Sequence, residues 1–286
     1  NKKLPHILNY PYRNTKQFEK ELDLILRYFE PVSLKELAEK QNLKRHSFHL
    51  SFDDGLRECA DVVAPILLKK GIPATFFVNT AFIDNKDLFH KYKASLILTC
   101  LKENQNPDVV KLLSKSGLKG KEILKASMSQ TGILNQAAHM LGIDFNEFLE
   151  NQKPYLTTEQ LIRLAKKGFS IGAHSHKHPE FEHLSTIEQL EEIKTSMKTL
   201  KQIVRTSVKA FSFPFTDWGV PAKVLQKIRE EHICDITFGT AGLKYDEFEF
   251  HLQRYPVEKT GSFVPELKGE WVYFILRDWI GKSTVK

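Results

Sequence analysis

The sequence predicts an α/β fold in which helices surround a parallel sheet or barrel. Two observations support this prediction. Short segments rich in aromatic and β-branched residues alternate along the chain with longer segments that carry apolar residues at helical spacing. Turn residues, mostly glycine and proline, separate many of these segments. Such alternation of strand and helix is typical of parallel sheets, whose neighbouring strands need a long crossover connection.

The first predicted strand covers residues 48–52 and ends in two aspartates and a glycine. A helix follows over residues 60–70, and Gly71 is a typical residue for its end. Pro73 then precedes a second strand at residues 74–78, which is composed of aromatic, β-branched and small residues. These elements form one strand–helix–strand unit.

The second half of the chain repeats this order. Helix starts are indicated by two capping boxes, in which Thr157 or Ser185 is followed three residues later by a glutamine or a glutamate. The predicted elements are a helix at 157–167, a strand at 169–173, a helix at 185–200, a strand at 208–213, a helix at 221–229 and a strand at 236–238.

Residues 91–151 interrupt the alternation, because they show helical periodicity and almost no strand pattern. We interpret this segment as a helical insertion. No linker rich in proline, glycine or serine marks either of its edges, so a single domain over residues 1–286 is the preferred division. A separate small helical domain is the alternative.

Composition excludes several classes of protein. The net charge of +7 is spread along the chain, so nucleic-acid binding is not predicted, and no apolar segment reaches the roughly 20 residues of a membrane span. The three cysteines are too far apart for a zinc-ribbon pattern and are expected to be small buried apolar residues. Residues 1–9 lack a signal-peptide pattern, and the first residue is not methionine, so cytoplasmic location is slightly favoured but export remains open. The oligomeric state is not predicted.

The first candidate site is the pair Asp53 and Asp54 at the end of a predicted strand. Parallel sheets and barrels place functional loops at this end of their strands. A turn with no chemical role is the alternative, because Asp-Gly pairs form turns readily. Two adjacent carboxylates in different environments can also divide their roles, one binding a cation and the other acting as a base.

The second candidate site is a cluster of histidines after the strand at 169–173. Four of the eleven histidines lie within residues 174–183. His174 and His178 are four residues apart, a spacing at which two imidazoles can bind one ion, and Pro179 favours a fixed loop. The alternative is a histidine-rich surface loop. One aspartate and two histidines together would provide three ligands of an open zinc-type catalytic site.

With these motifs the sequence resembles the polysaccharide deacetylase family, also called the NodB-homology family or carbohydrate esterase family four. Its Ser/Thr-Phe-Asp-Asp-Gly motif corresponds to residues 51–55, and its His-Ser/Thr-x-x-His motif corresponds to residues 174–178. Further similarity lies at residues 211–215 and 252–254. The resemblance covers most of residues 45–256 apart from the insertion.

The resemblance implies a distorted (β/α) barrel and a metal-dependent hydrolase that removes N- or O-acetyl groups from a carbohydrate. It assigns Asp54, His174 and His178 as ligands of a divalent metal, with zinc as the expected ion. Asp53 would be the general base. Pro214-Phe215 matches the family's Pro-Tyr element, so the backbone N–H of Phe215 would bind the oxyanion. The alternative for this element is an ordinary apolar strand end.

The sequence also departs from the family pattern. Ser212 stands where the family usually has an arginine that orients the base, and we expect Arg254 to replace it. The alternative is that Arg254 is a solvated surface arginine. Some relatives carry a Tyr-His pair whose histidine is the general acid, and here Pro11 takes that place after Tyr10. His251 is the main candidate for the missing proton donor. His176 and His183 are two others.

Asp217 and Trp218 are expected to line the sugar site, since aromatic rings stack on sugars, although a core tryptophan is the more ordinary role. The substrate expected from the resemblance is an acetylated carbohydrate. The alternatives are a catalytically silent carbohydrate-binding relative and a hydrolase of a non-sugar amide on the same scaffold.

Overall fold

The computed structural model describes residues 4–8, 10, 12–41, 43, 46–257 and 263–285. The strands are β1 (Glu30–Pro31), β2 (Ser47–Phe48), β3 (Leu50–Phe52), β4 (Ala74–Val78), β5 (Ser170–Ala173), β6 (Ala210–Ser212), β7 (Ile236–Gly239) and β8 (His251–Gln253). The helices are α1 (Thr15–Ile25), α2 (Leu34–Glu39), α3 (Ala64–Lys70), α4 (His90–Glu103), α5 (Pro107–Lys115), α6 (Thr131–Met140), α7 (Phe145–Gln152), α8 (Thr158–Lys166), α9 (Thr186–Ile203), α10 (Ala222–Glu230) and α11 (Phe263–Trp279).

Six parallel strands form the main sheet in the order β3-β4-β5-β6-β7-β8, so neighbours in the sequence are neighbours in space. The sheet curls into a half-barrel, which confirms the predicted α/β fold. All six strands point the same way, and their carboxyl ends therefore meet at one edge. The loops that follow β3, β5 and β8 carry the first motif, the histidine cluster and Arg254 to this edge.

Local sequence signals account for most helix boundaries. Ser33, Thr157 and Ser185 form capping boxes at the starts of α2, α8 and α9. Gly71 ends α3 in the left-handed conformation, with φ of 66°. The predicted helix at 60–70 begins one residue earlier, with a π-helical turn at Cys59–Val63 that continues into α3.

The predicted strand at 48–52 is two strands in two different sheets. β2 pairs with β1, whereas β3 pairs with β4. His49 lies at the break, where its Nδ1 is 2.8 Å from the carbonyl oxygen of Val32 and its Nε2 is 2.8 Å from Oγ1 of Thr75. These two hydrogen bonds hold His49 between the two strands, a break that the strand-like pattern of residues 48–52 did not indicate.

Two hydrophobic layers hold the sheet. On its outer face, Phe76, Ile171 and Phe211 pack with residues of α3, α8, α9 and α10. On its inner face, Phe77 and Phe238 are buried with Leu34 of α2. Cys59 and Cys234 are buried and Cys100 is half-buried, and all three are free thiols.

The segment from α4 to α7 has a hydrophobic core of its own, which includes Ile97, Leu113 and Leu134. Its helices agree with the helical pattern of residues 91–151. The division of the chain as one domain stays a prediction. In the described parts of the chain, no helix has the length and hydropathy needed to cross a bilayer.

Candidate active site

The loop after β3 presents two carboxylates because its backbone turns sharply. Asp54 and Gly55 both adopt positive φ, 70° and 62°. A Cβ on Gly55 would lie 2.9 Å from Cγ1 of Val78, so the turn and its close packing both require glycine here. The Asp-Gly turn and the chemical role of Asp54 are therefore compatible rather than alternatives.

The loop after β5 brings two histidines together. Ser175 and His178 adopt positive φ, 66° and 57°, and the backbone N–H of His178 donates to Oγ of Ser175. The side chain of Asn79 donates to the carbonyl oxygen of His174. As a result the imidazole rings of His174 and His178 lie 4.9 Å apart.

Asp54, His174 and His178 converge on one point. Oδ1 of Asp54 is 3.1 Å from Nε2 of His178 and 3.6 Å from Nε2 of His174. Nδ1 of His174 donates to the carbonyl oxygen of Ser212 at 2.8 Å, which leaves the lone pair of Nε2 directed at Asp54. Burial lowers the pKa of His174 and favours the neutral imidazole that binds a metal.

The donor set fits a divalent metal ion. One ligand atom from each of these three residues lies within 4.8 Å of the other two. Both histidines are buried. Burial alone would raise the pKa of Asp54, but its contacts with His178 and His174 lower this pKa, so the carboxylate supplies a negative charge. A carboxylate with two neutral imidazoles is a typical zinc-type donor set.

Arg254 and Asp53 form a bidentate ion pair beside Asp54, His174 and His178. Nη1 and Nη2 of Arg254 donate to the two carboxylate oxygens at 2.8 and 2.7 Å. Oδ2 of Asp53 is 3.8 Å from Nε2 of His174, so this carboxylate faces the ligand cluster. Burial alone would raise the pKa of Asp53, but Arg254 and His174 outweigh it and lower this pKa to about 2.

The other donors of Arg254 are also used. Nη1 donates to Oγ of Ser51 at 3.1 Å, Nη2 to Oγ of Ser212 at 2.6 Å, and Nε to the carbonyl oxygen of Gly239 at 3.3 Å. Ser212 therefore leaves room for the guanidinium and also binds it. The sequence analysis named Arg254 but did not predict that Ser51 and Ser212 bind it. Ser51 is the first residue of the motif at 51–55, and Ser212 lies in the similar stretch at 211–215.

His251 does not lie where the sequence analysis expected it. Residues 251 and 254 are three positions apart in an extended segment and point to opposite faces. Nε2 of His251 is 3.2 Å from Oδ2 of Asp217, and Nδ1 is 2.8 Å from Oγ1 of Thr237. This buried environment on the outer face of the sheet gives no support to a role as proton donor.

Asp217 belongs to the same outer cluster rather than to a sugar site. Its carboxylate accepts hydrogen bonds from Gln253 at 2.8 Å and from the backbone N–H of Thr240 at 3.0 Å. Its neighbour Trp218 is 72% exposed, so it is not a core tryptophan, and its ring is free to contact a ligand at the surface.

Phe215 borders the metal-ligand cluster. Its ring lies 4.4 Å from that of His178 in an edge-on arrangement, and its backbone has a positive φ of 56°. Such a conformation is uncommon for a bulky residue and often marks a functional loop. The role of Phe215 as oxyanion donor stays a prediction.

Pro11, which takes the place of the family's histidine after Tyr10, lies outside the described residues.

The start of the insertion forms another wall that sequence reasoning missed. The Phe89 ring lies 4.5 Å from that of His178. His90 and Lys91 contact Glu180, which follows the histidine motif by two residues. The ring of Tyr10 packs against that of Tyr92 at 6.2 Å, and burial together with the negative charges of Asp54 and Glu180 raises the pKa of its phenol. In the sequence, the only indication of this wall was the carboxylate of Glu180, directly after Pro179.

Comparison with known proteins decides the family. A family model described as polysaccharide deacetylase matches residues 40–231, about two thirds of the chain. The chain belongs to the polysaccharide deacetylase family. No curated protein matches its sequence.

Solved structures of deacetylases share the fold. The Streptococcus pyogenes deacetylase PplD, solved in complex with acetate, has 16% identity and a TM-score of 0.56, with 91% of this chain and 87% of that chain covered. IcaB from Ammonifex degensii has 16% identity and a TM-score of 0.55, with coverages of 90% and 88%. The BpsB deacetylase domain from Bordetella bronchiseptica has 14% identity and a TM-score of 0.53, with coverages of 87% and 85%. These similarities confirm the distorted barrel of the polysaccharide deacetylase type.

Proposed function

We propose that this polysaccharide deacetylase family member is a divalent-metal-dependent hydrolase that removes acetyl groups, most readily N-acetyl groups, from a carbohydrate. Family membership supports carbohydrate deacetylation. The observation that carries the finer proposal is the convergence of Asp54, His174 and His178 on one point, with the Asp53–Arg254 pair directly beside them.

Asp54, His174 and His178 would hold the metal ion, with zinc as the best match to two imidazoles and one carboxylate. A bound ion of this kind lowers the pKa of a water molecule and polarises the acetyl carbonyl. The chain's own contribution to binding is the fixed orientation of the ligands. The hydrogen bond from Nδ1 of His174 to Ser212 holds the tautomer that ligation requires.

Asp53 would accept the proton of the attacking water. Its two oxygens are bound by Arg254, yet each keeps a second lone pair, and Oδ2 faces the ligand cluster. Arg254 keeps this carboxylate ionised and fixes its direction. Because the pKa of Asp53 is low, this carboxylate can accept a proton only from a water molecule whose own pKa has been lowered, as a bound metal ion would do.

The remaining roles concern the substrate. The backbone N–H of Phe215 would donate to the oxygen of the acetyl carbonyl as negative charge develops there. The exposed ring of Trp218 would stack on a sugar ring at the rim. The Asp53–Arg254 pair also disfavours the alternative of a silent carbohydrate-binding relative, because a binding protein does not require an aligned base.

Acetate release from acetylated glycans tests this proposal. A panel of chitin oligomers, peptidoglycan fragments, poly-N-acetylglucosamine and acetylated xylan separates N- from O-deacetylation. We expect release from at least one N-acetylated member, loss of release after chelation, and recovery when zinc is added back. The Asp53→Asn variant is the control for contaminating enzymes. Release that persists in a metal-free, chelated sample would contradict metal dependence, and an inactive metal-loaded protein on the whole panel would contradict the substrate class.

A further inference from the structure

The proposed reaction needs a proton donor for the leaving nitrogen, because an amine anion is a very poor leaving group. The candidates from the sequence do not meet this need. His251 is bonded on the outer face of the sheet. Nδ1 of His176 lies 2.9 Å from Oγ1 of Thr80, and His183 is exposed beside Glu182. Among the described contacts, neither ring packs against the metal-ligand cluster or against the aromatic side chains beside it.

His90, the first residue of α4, lies beside the proposed metal site. The ring of Phe89 is 4.5 Å from that of His178 and 4.7 Å from that of His90. The ring of Phe215 is 4.4 Å from that of His178 and 6.4 Å from that of His90. Phe89 and Phe215 thus each lie next to both histidine rings, which places His90 one aromatic ring away from His178, on that side of the cluster. The proposed base, Asp53, contacts the cluster on the His174 side.

Glu180 fixes the orientation of His90. Its Oε1 is 3.2 Å from Nε2 of His90, and its Oε2 accepts from the backbone N–H of Met128 at 3.1 Å. Nζ of Lys91 lies 3.3 Å from the same Oε1. The Oε2 atom of Glu180 accepts from a backbone N–H and its Oε1 atom lies next to an ammonium group, so this carboxylate is the acceptor and Nε2 of His90 is the N–H nitrogen.

The other ring nitrogen of His90 is therefore the one that gains and loses a proton. Within the described part of the chain, Nδ1 of His90 has no hydrogen-bond partner. It is also absent from the buried polar atoms that lack a partner, so this nitrogen keeps some access to solvent. A carboxylate on one imidazole nitrogen and an open second nitrogen is the arrangement that lets a histidine exchange a proton with a ligand.

We infer that His90, held by Glu180, is the general acid that protonates the leaving nitrogen. This inference rests on the proposed deacetylation. In the step, the C–N bond of the tetrahedral adduct breaks, its electron pair goes to nitrogen, and the proton on Nδ1 of His90 forms the new N–H bond. Asp53 has by then accepted the proton of the attacking water, so the adduct collapses to acetic acid and an amine. The acid ionises to acetate, Asp53 releases its proton to solvent, and solvent reprotonates His90.

The charged groups around His90 set its pH dependence. Burial lowers its pKa, the facing carboxylate of Glu180 raises it, and the charges of Lys91 and His178 lower it, with a net shift below the ordinary value. A general acid acts in its protonated form, so turnover on an amide should fall as pH rises through the pKa of His90.

The test compares two substrates in the His90→Gln variant. Glutamine still donates a hydrogen bond to Glu180 but cannot supply a proton. With an N-acetylated sugar we expect turnover to fall by about 10² to 10⁴, together with loss of the decline at high pH. With 4-nitrophenyl acetate, whose phenolate leaves without protonation, we expect turnover to stay at the wild-type value. Metal content should not change. His139→Gln, an exposed histidine on the same insertion, is the matched control.

Equal loss on both substrates would show that His90 only supports the structure, and no loss on either would show that another group donates the proton. Both results overturn the inference. A measurement without substrate also tests it, even if the variant does not fold. In ¹⁵N NMR of the wild type, Nε2 of His90 should stay protonated while Nδ1 titrates; an Nδ1 that does not titrate between pH 4 and about 8 would refute the role. If the wild type hydrolyses no acetylated glycan, the proposed function fails, and this titration still decides whether His90 can carry the proton.

Discussion

Replacement of Arg254 with lysine keeps the positive charge beside Asp53 but removes the planar fork that holds it. The guanidinium donates to both oxygens of Asp53, to Ser51, to Ser212 and to the carbonyl oxygen of Gly239. A lysine has three donors on a single atom, so it cannot reach both carboxylate oxygens and the flanking acceptors at the same time.

The expected effect follows from this loss of contacts. Charge-assisted hydrogen bonds contribute about 1.5–3 kcal/mol each when their partners are buried, and at least one of the two to Asp53 disappears. A carboxylate that is free to rotate is misplaced by about 1 Å, which typically costs about 10²-fold in rate, or roughly 2.7 kcal/mol in activation free energy. We therefore expect turnover of Arg254→Lys to fall by about two orders of magnitude with a smaller change in KM.

Steady-state acetate release at saturating substrate measures this effect, and circular dichroism and metal analysis confirm that the variant is folded and loaded. Arg205→Lys, at an exposed arginine, is the control for the substitution itself. Full turnover in Arg254→Lys would refute the reasoning, because it would show that a point charge alone is enough to prepare Asp53. A loss of metal equal to the loss of turnover would place the effect on the ligands instead.

Four other substitutions test the remaining residues. Asp53→Asn should keep the wild-type metal content and lose about 10² to 10⁴ in turnover; undiminished turnover would remove Asp53 from the mechanism. Asp54→Ala and His174→Ala should lose the metal while circular dichroism shows a folded chain, and wild-type metal content in both would make the ligand assignment wrong. Burial would raise the pKa of Asp217, but hydrogen bonds from His251 and its neighbours lower it. Asp217→Asn should therefore reduce the free energy of unfolding by about 1–3 kcal/mol at pH 7, and the difference from the wild type should shrink as pH falls below about 4. Chemical denaturation across pH measures it, and a difference independent of pH would contradict this account.

The sequence predicted the parts of the site that depend on local pattern and strand direction. Alternating strands and helices indicate a parallel sheet, and parallel strands bring their carboxyl ends to one edge. Asp53, Asp54 and the two histidines each follow a predicted strand, so their meeting at this edge follows from topology. The spacing of His174 and His178 then leaves few ways to arrange their loop.

Contacts between distant segments could not be predicted in this way. The pairing of His90 with Glu180 depends on how the insertion folds back over the barrel, and neither residue lies in a recognisable motif. The proton-donor role predicted for His251 rested on sequence proximity alone. Its proximity to Arg254 in sequence suggested a shared site, but the side-chain alternation of an extended segment separates the two residues. A short strand with an uncertain boundary does not show from sequence which residues face inward.

The position of Arg254 also links the chemistry to the shape of the sheet. β3 and β8 are the two edges of the six-stranded sheet. Arg254 follows β8, yet it binds Ser51 in β3 and Asp53 directly after it, so a guanidinium spans the gap where a closed barrel would have ladder hydrogen bonds. An arginine at position 212 would instead come from β6 in the middle of the sheet and would leave this gap unbridged. Because Ser212 is small and hydroxylated, it accepts a hydrogen bond from the guanidinium of Arg254. An arginine at 254 with a serine at 212 therefore binds Asp53, the proposed base, and also joins the two edges of the half-barrel.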